Sequence, residues 1–350
     1  MLRRPAASLQ KLVPLVVLLA TLHGCGGEKR PSRDLPAPAD SALAPDTTRV
    51  DTIPAAPPIA YSRVVVKTAR TIAALHDSLG AEAWMAVLAV NRVDSTHVRA
   101  GDTLIVPSAP DRAALSPFPM TFESVRDTAQ LILVSQRVQA FGVYDHGRLV
   151  RWGPVSTGRK ETPTPLGLYH TNWKDEHRLS TDDSTWVLKW YLNLHNFRGV
   201  SFHEFELPGR PASHSCVRLL EEDARWLYGW ASSWQLAPDR RTILRDGTPV
   251  VVFGEWRYGR RAPWKRLPED PGATRLGDDE MADALRILID RVRPDFSKVT
   301  GPAEGASRPV ETRNVRPAPG VRDSGISVPA PPHMFDSLRA PTRVDSGGIR

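Results

Sequence analysis

Residues 201–219, SFHEFELPGRPASHSCVRL, carry the most reactive combination of side chains in the chain. Cys216 is one of only two cysteines, and His203 and His214 lie in the same stretch. A thiol needs a base because the thiolate is its nucleophilic form. His214 lies two residues before Cys216 and faces the same side in an extended segment. The turn-forming residues 208–211 (PGRP) can return His203 to the thiol. Either histidine is therefore a candidate base.

Other interpretations of this stretch stay open when only the spacing is considered. Arg218 lies two residues after Cys216 and can bind a carboxylate with two parallel hydrogen bonds. A single buried cysteine is often a small core residue instead. A metal site is disfavoured, because His-x-Cys is not a common zinc spacing and the stretch offers no obvious fourth ligand.

The whole stretch resembles the active-site motif of L,D-transpeptidases of the YkuD type. That motif reads His, a variable run, Ser-His-Gly-Cys, an aliphatic residue, and Arg or Asn. The matching residues here are His203, Ser213, His214, Cys216, Val217 and Arg218.

The sequence departs from that motif at Ser215, where the family has glycine. If the backbone there requires a positive φ, a serine is strained. Its N–H remains available as an oxyanion donor.

Two further stretches match the same family in the expected order. Residues 155–170, VSTGRKETPTPLGLYH, resemble its Ser-Thr-Gly and Thr-Pro-x-Gly segments, and residues 247–250 resemble its closing Gly-Thr-Pro-Val strand. The resemblance covers residues 128–256 and implies a mainly β catalytic domain, a β-sandwich with short helices. The first of these stretches offers no nucleophile, so we interpret it as scaffold.

Local patterns in the same region predict individual elements. Residues 130–157 alternate apolar and polar side chains around a turn at residues 145–147. Residues 221–230 predict a helix with acidic residues at its N-terminus, and the charged residues 174–184 predict a loop. Residues 186–194 predict a strand, and the resemblance suggests that Tyr191 contacts substrate there; a core aromatic is the alternative. His195 competes for the role of base, but we interpret it as structural.

The first 60 residues predict export and anchoring. Residues 1–24 combine basic residues with a short apolar run, as in a signal peptide, and Leu-His-Gly-Cys at residues 22–25 resembles a bacterial lipobox. We expect lipid on Cys25, a disordered tether over residues 25–60, and a location on the periplasmic side of the cell envelope. An ordinary signal peptide with a chance cysteine is the alternative. With Cys25 lipidated, Cys216 is the only remaining thiol, which favours a reactive role.

The segments around the catalytic region have their own predictions. Residues 61–108 follow the order strand, helix, helix, strand, and AGDTLIVP at residues 100–107 resembles a LysM domain, a module that binds peptidoglycan glycan. Its usual Gly-Asp-Thr-Leu after the first strand is missing, so we expect weak glycan binding or a small α+β domain without sugar affinity. Residues 109–127 predict a linker. Residues 257–350 predict a mostly disordered tail with a helix at residues 278–292.

The charge balance narrows the choice of partner. The chain has 350 residues, 32 prolines and a net charge of +7. A basic surface favours anionic partners, including nucleic acid, membranes and cell wall. The basic residues are scattered and no nucleic-acid-binding motif is visible, so we expect no nucleic-acid partner.

The resemblance implies an L,D-transpeptidase that acts on peptidoglycan stem peptides through a cysteine acyl-enzyme and forms cross-links or attaches proteins to the wall. Cys216 would attack the L,D peptide bond, His203 would be the base, and His214 and Ser213 would shape the pocket. The N–H groups of Ser215 and Cys216 would be oxyanion donors, and Arg218 would hold a substrate carboxylate. No metal or organic cofactor is implied, and the family is typically susceptible to carbapenems. The alternatives are an L,D-carboxypeptidase or endopeptidase with the same site, and a non-catalytic peptidoglycan-binding scaffold.

Overall fold

A computed structural model describes residues 58–299 except 181, 182, 184, 197 and 298. The predicted signal peptide, Cys25, almost all of the tether and the tail beyond residue 299 lie outside the described residues. The chain divides into two compact parts, and every described residue lies in the second of them, Ala56–Arg350. Within the described residues, no helix is both long and apolar enough to cross a membrane.

The described chain contains thirteen strands, three α-helices and three short 3-10 helices. In order they are β1 (Tyr61–Val65), α1 (Ala69–Asn91), a 3-10 helix (Ser95–His97), β2 (Thr103–Pro107), a 3-10 helix (Glu123–Val125), β3 (Gln130–Ser135), β4 (Ala140–Asp145), β5 (Arg148–Ser156), β6 (Gly167–His170), β7 (Lys174–Leu179), β8 (Val187–His195), β9 (Val200–Glu204), β10 (Val217–Leu219), α2 (Glu221–Trp230), β11 (Gln235–Leu236), β12 (Ile243–Arg245), β13 (Pro249–Phe253), a 3-10 helix (Pro263–Arg266) and α3 (Asp278–Ile289).

Nine of these strands form one curled sheet in the order β6-β13-β3-β4-β5-β10-β9-β8-β7. The pairs β13–β3 and β10–β9 are parallel, and the other neighbours are antiparallel. The predicted mainly β fold is confirmed. All nine strands are connected in one hydrogen-bonded order.

The central strands are buried on both faces, which explains their continuous apolar sequences. In β3, Leu131 and Leu133 pack into one hydrophobic cluster, while Ile132 and Val134 pack into another on the opposite face. Successive side chains of a strand point to opposite faces, so one run of aliphatic residues serves two cores.

Two local predictions are confirmed. The turn between β4 and β5 consists of His146 (φ 46°) and Gly147 (φ 74°), and two positive φ values in a two-residue loop are those of a type I′ hairpin. The helix predicted at residues 221–230 is α2, with three acidic residues in its first turn.

The prediction of a loop over residues 174–184 is wrong in its first half. Lys174–Leu179 is strand β7, which pairs with β8 as the outermost strand of the sheet. Charged side chains are typical of an edge strand, where they face solvent and discourage pairing with another chain.

Residues 109–127 are not a linker. Leu115, Phe118 and Val125 are buried in the same cluster as Leu131 and Trp152. Arg112 forms ion pairs with Glu222 and with Asp223, whose side chain is fully buried. The segment is therefore part of the folded core.

The prediction of a disordered tail from residue 257 is wrong for the described part. Trp264 is 0% exposed, and Met281, Ala284 and Ile287 of α3 are buried in the same cluster. The helix predicted at residues 278–292 is present as α3, which ends at Ile289, and it packs against the sheet.

Residues 58–108, called the N-terminal unit below, have the predicted order of elements. Strands β1 and β2 are antiparallel, and α1 contains a break at Gly80 (φ 76°, ψ 168°) that separates two helical segments. The second segment contributes Ala86, Ala89 and Val90 to the hydrophobic core on one face of the nine-stranded sheet. The unit is therefore packed into the described body, and its resemblance to LysM stays a prediction.

Candidate active site

The parallel pairing of β9 and β10 brings the two halves of the reactive stretch together. Arg218 lies opposite His203 in the register, and Val217 lies opposite Phe202. Beside these strands is an open cleft. Its lining residues are Ser180, Trp186, Leu188, His203, Phe205, Ser213, His214, Cys216 and Arg218.

Cys216 contacts the first residues of β9 and the turn that precedes this strand. Its Sγ lies 3.2 Å from the Oγ of Ser201 and donates to the backbone carbonyl of Gly199 at 3.0 Å. Sequence reasoning missed Ser201 as a member of the site. The available signal was its position two residues before His203, which places both side chains on one face of β9.

His203 is held as a neutral base. Its Nδ1–H donates to the backbone carbonyl of Glu204 at 2.9 Å. A carbonyl can only accept, so the proton is on Nδ1 and Nε2 carries the lone pair. Burial lowers the pKa of His203 to about 4. The imidazole is therefore uncharged at neutral pH and ready to take a proton.

The other predicted residues of the motif also lie at the cleft. His214 stacks on Trp186 with ring centroids 6.3 Å apart. Arg218 places its guanidinium 4.5 Å from the Phe205 ring centroid, and burial lowers its pKa below the usual value. Ser213 lines the cleft, and its Oγ donates to the backbone carbonyl of Cys216.

Tyr191 and His195 lie away from the cleft wall. Tyr191 is 4% exposed and stacks behind His203 with ring centroids 6.3 Å apart. From that position it supports the imidazole. His195 lies at the end of β8 with its ring 4.5 Å from that of Phe296. It is not among the residues that line the cleft.

Ser215 has a φ of 81° and is 4% exposed. The condition under which a serine is strained at this position, a positive φ, is therefore met in the structure. The side chain donates to the carbonyl of Thr162 at 3.3 Å. The serine hydroxyl therefore has a partner while the backbone remains strained.

Ser215→Gly is expected to be more stable than Ser215→Ala by about 1 kcal/mol, because alanine keeps a left-handed strain that glycine lacks. At an ordinary helix or strand position the order is reversed, with glycine about 0.5–1 kcal/mol less stable. Urea unfolding of the two variants measures the difference. An alanine variant at least as stable as the glycine variant would show that the positive φ carries no cost.

The Ser-Thr-Gly and Thr-Pro-x-Gly segments hold the cysteine loop, as the scaffold interpretation expects. Thr164 Oγ1 donates to the carbonyl of Ser215 at 2.9 Å and accepts from the N–H of Gly158 at 2.9 Å. A Cβ at residue 158 would lie 2.2 Å from the carbonyl oxygen of Thr162, so only glycine fits there. Arg159 N–H donates to the carbonyl of Ser213 at 2.9 Å.

Among the described residues, no group of three or more His, Cys, Asp or Glu side chains is arranged to hold a metal ion. The site consists of a thiol, an imidazole, backbone amides and a guanidinium. These groups suit nucleophilic acyl transfer.

Residues 129–252 match the model of the YkuD family, described as the L,D-transpeptidase catalytic domain. None of the curated proteins compared with the chain matches it.

Several similar solved structures are L,D-transpeptidases. One from Stackebrandtia nassauensis is 24% identical, with 43% of this chain aligned to 66% of that chain and a TM-score of 0.33. One from Mycobacterium tuberculosis is 25% identical over 36% of this chain and 57% of that chain, with a TM-score of 0.29. L,D-transpeptidase 3 from Mycobacterium tuberculosis, in complex with a faropenem-derived adduct, is 23% identical over 35% and 60%, with a TM-score of 0.28. The chain thus spans less than two thirds of the length of each.

Proposed function

We propose, given the YkuD L,D-transpeptidase catalytic domain at residues 129–252, that the protein acts on peptidoglycan stem peptides through an acyl-enzyme on Cys216. The observation that carries the proposal is one cleft lined by the thiol of Cys216, the imidazole of His203 and the guanidinium of Arg218. The neutral imidazole, with its proton fixed on Nδ1, supports the same assignment.

The reaction follows from these groups. His203 Nε2 removes the thiol proton as Cys216 Sγ bonds to the carbonyl carbon of the donor's L,D peptide bond. The tetrahedral intermediate collapses, the C–N bond breaks, and the leaving D-alanine amine takes the proton from His203. An amine on a second stem then attacks the thioester with His203 again as base. A new amide forms, and the thiol is restored.

Backbone N–H groups of Ser215 and Cys216 would stabilise the oxyanion in this scheme. In a trans peptide, the C=O and N–H of one plane point in opposite directions. Thr164 Oγ1 holds the carbonyl of Ser215 at 2.9 Å, so it also sets the direction of the Cys216 N–H. Donors fixed before the reaction need no reorganisation during it, which is the basis of their catalytic effect.

Substrate binding in this proposal uses the cationic and aromatic walls of the cleft. Arg218 would bind a carboxylate of the stem, because its planar fork matches the two oxygens. The stacked rings of His214 and Trp186 would form an apolar wall that shapes the pocket.

Incubation of the full chain with purified disaccharide-tetrapeptide, followed by mass spectrometry, tests this proposal. A cross-linked dimer is the expected product. A stem shortened by one residue would indicate water as acceptor, hence a carboxypeptidase or endopeptidase. No change in the stem, together with slow iodoacetamide labelling of Cys216, would indicate a scaffold. The Cys216→Ala variant is the control and should give no product.

Anchoring and wall binding extend the proposal beyond the described residues. We propose that Cys25 carries lipid and places the protein on the periplasmic side of the envelope, where stem peptides are found. A clickable fatty acid should label the wild type and not Cys25→Ala; equal labelling of both would exclude the anchor.

Glycan binding by the N-terminal unit is expected to be weak. Retention of the full chain on insoluble cell wall measures this binding.

A further inference from the structure

Residues 92–94, which directly follow α1, contact the segment that leads from the base to the nucleophile. Asp94 Oδ2 accepts from the N–H of Leu207 at 2.7 Å, and the N–H of Asp94 donates to the Leu207 carbonyl at 3.1 Å. The N–H of Gly209 donates to the carbonyl of Arg92 at 3.0 Å. Val93 and Pro208 form an isolated β-bridge. We call this set of contacts the latch.

The other side of the latched segment forms part of the cleft. Phe205 lines the cleft and meets His203 edge to face, with ring centroids 5.9 Å apart. The guanidinium of Arg218 lies over the Phe205 ring and is 3.5 Å from the carbonyl oxygen of Glu206. The position of this segment therefore determines where Phe205 and Arg218 face the substrate.

The two oxygens of the Asp94 carboxylate accept hydrogen bonds from two different sets of backbone donors. Oδ1 accepts from the backbone N–H groups of Thr96 (2.8 Å) and His97 (3.0 Å), which caps the 3-10 helix. Oδ2 is the oxygen that faces Leu207. Burial would raise the pKa of Asp94, but hydrogen bonds from Thr96, Leu207 and His97 hold it below the usual value.

We infer that Asp94 is a positioning residue for the transferase reaction and that the N-terminal unit is part of the active-site scaffold. The inference rests on the proposed function for its kinetic consequence. Asp94 touches no reacting atom. It acts by fixing the segment at residues 205–209, and through it the cleft wall formed by Phe205 and Arg218.

Asp94→Asn separates the two roles of the carboxylate. An asparagine has one acceptor oxygen instead of two, so it cannot both cap the 3-10 helix and accept from Leu207. If the amide oxygen takes the cap, its NH₂ group faces the Leu207 N–H, donor against donor. Asp239→Asn is the matched control, because Asp239 caps Arg241 and Thr242 with the same geometry in another turn.

The expected result is a fall of about tenfold in kcat/KM for disaccharide-tetrapeptide in Asp94→Asn, the size of a lost charge-assisted hydrogen bond. Most of the fall should be in KM, because the variant misplaces the substrate-binding wall. Iodoacetamide alkylation of Cys216 should stay within about twofold of wild type, since the contacts of the thiol with Ser201 and with the Gly199 carbonyl are made outside the latch. Asp239→Asn should match the wild type in both assays.

Two results would overturn the inference. One is unchanged kcat/KM in Asp94→Asn; the other is an equal loss of kcat/KM, alkylation rate and Tm, which a merely structural role would produce. If the wild type itself leaves the stem peptide unchanged, the proposed function has failed. The latch is then judged by hydrogen exchange of residues 205–209 in the full chain, which Asp94→Asn should accelerate. Unchanged exchange would exclude it.

Discussion

Replacing His203 by glutamine is expected to slow acylation of Cys216 by a carbapenem by about 10²–10⁴-fold, the usual contribution of a general base. Glutamine is polar and of similar length, but it offers no basic nitrogen to the thiol. The time course of the covalent adduct, followed by mass spectrometry of the intact protein, measures the rate.

The pH dependence of the wild type identifies the same base. Protonation of His203 removes its lone pair, so activity falls as the pH decreases through the pKa of His203, which is about 4. At pH 5 about 90% of such a group is still neutral, compared with about 3% of an ordinary histidine. The rate attributable to the base should therefore change by less than about twofold between pH 7 and pH 5.

His195→Gln is the control for both measurements. Burial also lowers the pKa of His195, so the control removes a second, partly buried imidazole that does not line the cleft. The control should acylate at the wild-type rate. Loss of acylation in folded His195→Gln, with retention in His203→Gln, would show that the base is misassigned. An acid limb near pH 6.5 would show that the imidazole is not desolvated.

Trp264→Ala is expected to lower the free energy of unfolding by about 3–5 kcal/mol, the usual cost of truncating a buried aromatic side chain. Trp264 is 0% exposed, and its ring lies 5.6 Å from that of Trp256. The guanidinium of Arg92 is 5.3 Å from Trp264 and 5.4 Å from Trp152 on the sheet. The Arg92 side chain, which belongs to the N-terminal unit, thus contacts both the nine-stranded sheet and residues 257–289.

Unfolding of the full chain in guanidinium chloride measures this loss of stability, with Tyr258→Ala as the control. Tyr258 is 46% exposed, so its removal should change stability by less than about 0.5 kcal/mol. A loss below about 1 kcal/mol in Trp264→Ala would mean that residues 257–289 are not part of the cooperative core.

The buried Arg92 explains why the N-terminal unit and the sheet should unfold together. Its Nε donates to the carbonyl of Val138 at 2.8 Å, and burial lowers its pKa to about 9. A buried guanidinium without these carbonyl partners would carry a large desolvation cost. Separation of the unit from the sheet would break the contact and expose the apolar face of α1.

The sequence by itself determined the features that depend on neighbours along the chain. The turn residues 145–147 marked the hairpin between β4 and β5, acidic residues marked the start of α2, and the motif of residues 203–218 supplied the candidate nucleophile and base. At Ser215 the sequence showed only that serine replaces the family's glycine, and the structure supplied the φ of 81° that makes the position strained.

Only the tertiary structure decided the features that depend on distant partners. The polar residues 174–179 form a strand because β8 lies beside them, and residues 109–127 and 257–289 are folded because the sheet covers their few apolar side chains. The neutral state of His203 comes from burial, and the role of Asp94 comes from Leu207, 113 residues away. Burial and long-range hydrogen bonds are made between segments, so no window of sequence contains them.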